Sequence, residues 1–408
     1  IIPPPVPANE NAAPIYEEIF SIYEKLKKKY PEEWKYMPVE TKTDIKELSS
    51  SQKSRLNELV FNDPDFVRMY ELLEKAVNMP RCRFDLRYED GYAMLLPHLA
   101  QMRANAKVIA LRTILLAEEN RYYEALESGM TGLLLGNALE NEPTLIYQML
   151  KIACDSFAMR GLAEVISDIP SDSIMVEEYY RLMKEVESKK GKSGLRKGLE
   201  GETAWGYDIF RKTLNTKVYH DESFWRDYLN YDKDYLRDRM FWRLYLSYFG
   251  RPLVRKDATF YLNQMTKAME LDLTPYYQIK DRITKIVKEM EKGLGKWGHP
   301  LSSMILPALG SFHTRQAEII AKLDGLEIAL ALKIYKSKNG EYPSSLDILI
   351  PEYLPELSKD PFTGQNYIYR KEGEGFIVYS VGKNEKDNGG IYDEKVLKYD
   401  DLVWQSSK

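Results

Sequence analysis

Through most of the chain apolar residues recur every three or four positions, the spacing of amphipathic helices. Ile15, Ile19, Ile22, Tyr23 and Leu26 share one face, after Asn11, Pro14 and Glu17-Glu18 as start signals. A sharper start lies at Asp63, an N-cap residue, with Pro64 at the first helical position. Phe66, Met69, Tyr70, Leu73, Ala76 and Val77 follow in period, and Pro80 ends that helix. From Leu95 to Ile166 the pattern predicts three helices. The first carries Leu99, Met102, Ala106, Ile109, Ala110 and Leu116, and a polar turn at Glu118 to Arg121 closes it. The second runs from Tyr122 to Leu139, and the break at Asn141-Glu142-Pro143 opens the third. Lys189 to Gly194, rich in Lys and Gly, reads as a flexible connection, and Glu200-Gly201-Glu202 reopens ordered structure. Further helices are expected over about Ala258 to Leu271 and Tyr276 to Glu291, separated by Pro275. A long one then runs from near Ser311 to Lys338.

Beyond Asn339 the period drops to two. Tyr367-Ile368-Tyr369 and Phe376-Ile377-Val378-Tyr379 flank the Gly373-Glu374-Gly375 turn, the pattern of an antiparallel hairpin. The predicted fold is therefore mainly α, a large helical body followed by a small C-terminal α+β domain with an antiparallel sheet. The expected divisions are a Pro-rich spacer over 1–12, a helical body over 13–310, and a long helix plus sheet domain over 311–408. Pro3-Pro4-Pro5-Val6-Pro7 reads either as a stiff polyproline spacer or as a disordered end.

Composition narrows the function more than it defines it. The 408 residues are enough for two or three domains, and a net charge of −4 with interleaved signs argues against nucleic acid. No apolar run reaches about eighteen residues, so the numbered chain is expected to be soluble. Cys82 and Cys154 form no metal-type spacing; they are read as two buried thiols or, in an oxidising compartment, as one disulfide. The four histidines, His98, His220, His299 and His313, stand apart from one another. His98, early in an amphipathic helix, is expected at the surface or the edge of the core. Gly191-Lys192-Ser193 lacks the spacing and preceding strand of a phosphate-binding loop. No nucleophile elbow or dinucleotide fingerprint occurs.

The tail carries an ordered set of turn motifs. They are Asn339-Gly340-Glu341-Tyr342-Pro343, Pro351 to Pro355, Asp360-Pro361-Phe362, Tyr379 to Gly382, Asp387 to Gly390, and Asp400 to Trp404. Their order resembles the C-terminal half of the major pseudopilin of type II secretion systems. That resemblance implies an extracytoplasmic location, periplasmic or membrane-anchored, and an N-terminal membrane helix or export signal. As the chain starts at Ile1-Ile2 and not at Met, such a segment is expected to have been removed. It also implies a calcium site, with Asn384 in place of the first acidic ligand, Asp387 next, and Asp400 or Asp401 last. Carboxylates and amide carbonyls suit that ion; the alternative is that Asp387 to Gly390 simply builds turns. The whole chain is similar to uncharacterised exported bacterial proteins, on the strength of Tyr122 to Leu126, Glu200 to Glu202 and Asn339 onward. Ala117 to Leu126 also resembles one helix–turn–helix of the tetratricopeptide repeats, with Asn120 at the turn and Ala125 at the close approach.

An aromatic-rich stretch spans Trp205 to Phe249 in a chain with 30 Tyr and 6 Trp. Glu202, Trp205, Tyr207, Trp225 and Trp242 form the expected ligand surface, and no residue is assigned a catalytic role. The expected function is a non-enzymatic extracytoplasmic scaffold or binding protein for a protein or peptide partner, associated with secretion or envelope assembly. The alternative is a carbohydrate-binding or carbohydrate-active protein, using rings to stack on sugars and paired acids such as Glu200, Glu202, Asp208 and Glu222. An assembling pilin-type subunit is disfavoured, because so large a helical body would crowd a filament.

Overall fold

A computed structural model describes residues 2–37, 45–170, 175–190, 194–215, 244–245, 247–271, 274–293, 299–306, 309–391 and 401–406. The fold is mainly α with a small C-terminal antiparallel sheet. Helices α1 (Ala13–Lys29), α2 (Pro31–Trp34), α3 (Ser50–Asn62) and α4 (Pro64–Val77) form the N-terminal layer. Asn11 ties the start of α1 to the strand-like segment after α4. Its Oδ1 accepts from Arg83 N at 2.8 Å and its Nδ2 donates to Arg83 O at 2.9 Å. Asp63 caps α4 by accepting from Asp65 N and Phe66 N, and it also accepts from Tyr30 Oη and Lys29 Nζ.

The centre is a stack of α5 (His98–Glu118), α6 (Tyr122–Leu135) and α7 (Leu145–Asp168). Asn120 makes the α5–α6 turn in the left-handed region, at φ 59°, and Ala125 is fully buried behind it. Small residues bring the helix axes together. A Cβ at Gly129 would lie 2.3 Å from Leu162 Cδ2, and one at Gly132 would lie 3.0 Å from Ala158 Cβ.

Helices α8 (Val176–Lys190), α9 (Leu195–Leu214), α10 (Arg251–Met269), α11 (Tyr276–Gly293) and α12 (Pro300–Ile305) follow. The Glu200-Gly201-Glu202 step lies inside α9, where it meets the entry to α7. A Cβ at Gly201 would fall 1.4 Å from Pro143 O, so only glycine permits this approach. Asp257 in α10 caps α12 by accepting from Leu301 N and from Ser302 N and Oγ, and it also accepts from Tyr245 Oη.

The spine is α13 (Leu309–Asn339), 31 residues long and so roughly 45 Å. Leu326, Ala329, Leu330, Ala331, Leu332 and Ile334 are all buried, the mark of a helix covered on every side. It packs on α7, α8 and α11 and also on the sheet. The sheet has the order β1 (Ile368–Glu372), β2 (Gly375–Ser380), β3 (Leu402–Ser406), all antiparallel, with Tyr369 opposite Val378 and Val378 opposite Trp404. Trp404 seats on Gly325 of α13, where a Cβ would lie 2.2 Å from its Cδ1. One apolar cluster runs from α5–α8 through α13 into Phe376, Val378 and Trp404 of the sheet.

Two expectations are corrected, and of the two cysteine readings the buried thiols hold. The segment beginning at Lys189 is helical through Lys190, and Lys189 is buried. His98 is a core residue, stacked on Phe84 at 4.0 Å and 2.5 Å from Tyr147 Oη. Burial pushes its imidazole down to about 4. Cys82 and Cys154 are separate buried thiols, not a disulfide, and burial raises both.

Candidate functional site

Two adjacent lysines end α8, and successive helical side chains diverge. Lys189 Nζ donates to Asp155 Oδ1 of α7 at 2.9 Å and to Asn137 Oδ1 at 3.1 Å. Lys190 Nζ reaches α13, 2.6 Å from both Asp324 Oδ1 and Glu327 Oε2, and the tail, 2.8 Å from Ser358 Oγ. Asp324 is itself tied to the sheet domain, because Tyr367 Oη donates to its Oδ2 at 2.8 Å. Burial opposes the charge on Lys190, yet the carboxylates of Asp324 and Glu327 outweigh it and hold the ammonium above its ordinary pKa. The ion pairs thus join α7, α8 and α13, and hydrogen bonds from Lys190 and Tyr367 add the tail.

Around them lies a cavity of about 420 Å³. Ile152, Leu271, Phe312, Ile319 and Leu323 form an apolar wall, and Tyr276 and Tyr277 at the start of α11 contribute rings. Its charged lining is Lys151, Lys189, Lys190 and Lys359 against Asp155 and Asp324. Both aspartates are bonded to lysine, and buried His313 also lines the wall. The arrangement suits holding a ligand.

The aromatic surface expected near α9 is divided by the helix. Trp205 and Asp208 line a second cavity, of about 510 Å³, together with Tyr88, Pro143, Arg211 and Lys212. Tyr207 is 54% exposed and lies outside that lining. Glu202 turns inward and accepts from Leu145 N at 3.3 Å, serving the first turn of α7. Burial works to raise Asp208, but bonds from Lys212 and Arg211 at 2.8 and 2.7 Å overcome it and hold the carboxyl below its ordinary value. Glu142 is raised by burial and accepts from Tyr88 Oη at 2.7 Å. Trp225 and Trp242 lie outside the described residues, as does His220.

In the tail loop, Asp401 is buried and accepts from Asn388 N at 3.1 Å and Gly390 N at 2.8 Å. Asp387 Oδ1 accepts from Gly389 N and from Tyr379 Oη, both at 2.8 Å. Asn384 Oδ1 accepts from Lys386 N at 2.7 Å. Each of these side-chain oxygens accepts a bond from within the tail, and calcium would need six to eight convergent oxygens. Asn384, Asp387 and Asp401 are thus bonded within the turn; Asp400 lies outside the described residues. Among the described residues no group of three or more His, Cys, Asp or Glu is arranged to hold a metal. The other tail motifs also have structural work. Asp360 accepts from Phe362 N and Val381 N, and Tyr342 packs edge-on to Phe376 at 5.0 Å.

Among the described residues no helix is long and apolar enough to cross a membrane. No family pattern matches this chain, and comparison with curated proteins and with solved structures finds none similar to it. Sequence reasoning missed Lys189, Lys190, Asp155 and Asp324. One signal was present: Asp324 interrupts the apolar run of α13 between Leu323 and Leu326, and a carboxylate inside such a run needs a cation.

Proposed function

We propose that this protein is a non-enzymatic binding protein whose ligand seat is the cavity between α7, α8, α11 and α13. The observation that carries this reading is the cavity's charge pattern. Asp155 and Asp324 are held by lysines beside a preformed, partly apolar hollow of about 420 Å³. The tail's resemblance to pseudopilins supports an extracytoplasmic site of action, in secretion or envelope assembly. There, occupancy of a seat shared by body and tail would bias how the tail is presented to a protein partner.

A thermal-shift panel of small organic acids, neutral oligosaccharides and short peptides tests the reading, because a ligand of the folded state raises the melting temperature. The same panel, offered as chromogenic glycosides and esters, should yield no hydrolysis. A stabilising compound without turnover supports the proposal, whereas turnover that survives repurification overturns it.

One observation favours a second reading. Trp205 lies half-buried on the wall of the 510 Å³ cavity beside Asp208, a ring and a polar group of the kind that receive a sugar face. If that cavity is the seat, Trp205→Ala removes the thermal shift given by oligosaccharides and leaves the response to organic acids intact.

A further inference from the structure

We propose that the cavity of about 510 Å³ between the Tyr88–Ala93 turn and α9 is a docking site for a proline-rich peptide, whose mouth is covered by the chain's own Pro3 to Pro7 strap. This goes beyond the junction cavity, and it gives the α9 cavity a different occupant from the sugar considered above.

Two observations carry it. The first is the strap. One end is pinned to the segment that leads into the Tyr88–Ala93 turn. Arg81 N donates to Glu10 O at 3.2 Å and Ala12 N donates to Arg81 O at 2.9 Å, beside the paired bonds of Asn11 and Arg83. The other end reaches the α9 cavity, where Ile2 is part of the lining. Between them Pro3 and Val6 are half-buried, while Pro4, Pro5 and Pro7 are exposed. That interval matches the three residues per turn of a polyproline helix, which lays one ridge against the body. Ile2 is 64% exposed, so it edges the cavity without filling it.

The second observation is the wall. Tyr88, Pro143, Ala204 and Trp205 present rings and small apolar groups, the kind of surface on which polyproline ligands dock. Asp208, the acid beside Trp205, is bonded to Arg211 and Lys212 at 2.7 and 2.8 Å. Glu142, behind Tyr88, accepts from its hydroxyl at 2.7 Å. Both acids are thus engaged within the protein, and the rings are left to meet an apolar ridge. A proline-rich peptide brings that ridge preformed, at little cost in chain entropy.

The test is fluorescence polarisation of the full chain with a labelled peptide of residues 2–7, Ile-Pro-Pro-Pro-Val-Pro. Its glycine counterpart, Ile-Gly-Gly-Gly-Val-Gly, is expected to bind at least about tenfold more weakly, because its backbone must first be ordered. Combining Pro3→Gly, Pro4→Gly and Pro5→Gly in the chain loosens the strap and should tighten peptide binding about tenfold by uncovering the mouth. Trp205→Ala should weaken binding at least about tenfold, and Tyr207→Ala, outside the lining, should leave it unchanged. If Trp205→Ala fails to fold, the glycine peptide still decides, because it is measured on the unaltered chain. Equal binding of the two peptides, or displacement of the proline peptide by maltohexaose, overturns the proline-rich assignment. No binding of the proline peptide to the unaltered chain or to the strap variant overturns the docking site. An affinity that the strap variant leaves unchanged overturns the strap's part as its cover.

Discussion

The α5–α7 stack and the junction around α8 and α13 bury their contacts in opposite ways. In the stack, side chains are removed: Gly129, Gly132 and Ala158 let helices touch, and the space is closed. At the junction, charges are brought in: Lys189 and Lys190 pair with Asp155 and Asp324 around a hollow. The first arrangement fixes a scaffold. The second depends on polar partners from four segments, and it keeps a space that a ligand can enter.

The sharpest way to break this contrast is to remove one charge. Lys189→Met leaves the Asp155 carboxylate buried without its ammonium partner and should cost about 3–5 kcal/mol in urea unfolding. Adding Asp155→Leu to that variant should recover most of the loss, because an apolar pair of similar volume often replaces a buried ion pair at little cost. A double variant no more stable than the single one would show that packing and not charge holds the junction.

Next in size is the stack itself. Gly129→Ala forces a methyl group against Leu162 and should destabilise by about 1–3 kcal/mol. Gly340→Ala, at φ +82° with nothing near the added methyl, should cost about 1 kcal/mol through backbone strain alone. Equal losses at the two sites would mean that the stack is not closed.

A third effect is carried by pH. Lys333 of α13 is buried, bonded to Ile169 O at 2.8 Å and Ser406 Oγ at 2.9 Å. Burial, with Lys336 adding to it, holds its ammonium down to about 7, against an ordinary 10.5. Between those values the unfolded chain binds more protons than the folded one, so stability rises with pH. The contribution is absent below about 7 and complete above the unfolded pKa. Unfolding at pH 7, 8 and 9 should show a gain approaching about 1.4 kcal/mol per unit, and Lys333→Met should flatten that slope.

The smallest expected effect is zero. A chelator should leave the melting temperature unchanged, because Asp387 and Asp401 already accept from Gly389, Asn388 and Gly390. A fall on chelation would return the tail loop to the metal-binding role expected of it.

The helices were legible because their signals are local. Asp63-Pro64 announces α4, Asn339-Gly340 ends α13, and Gly373 to Gly375 turns the hairpin, each within a few residues of the element it bounds. The junction was not legible, because its pairing is distant. Asp155 lies 34 positions from Lys189 and Glu327 lies 137 from Lys190. In sequence such lysines look like solvated linker residues, as Lys189 did. The α9 surface is divided for a different reason. Trp205 and Tyr207 are near neighbours in sequence, but two residues of helix turn about 200° and set them on opposite sides, while Glu202, one turn before Trp205, is taken up in a bond to Leu145 N. Grouping them by proximity merged a buried cap, a cavity wall and an exposed ring.

Hydrogen–deuterium exchange of the full chain, with and without the panel compound that raises its melting temperature most, tests the central claim directly. Ligand in the junction cavity should slow exchange at the end of α8, the first turn of α11 and the middle of α13 near Asp324. Protection confined to Ala204 to Lys212 of α9, or absent from the α8–α13 contact, would contradict it.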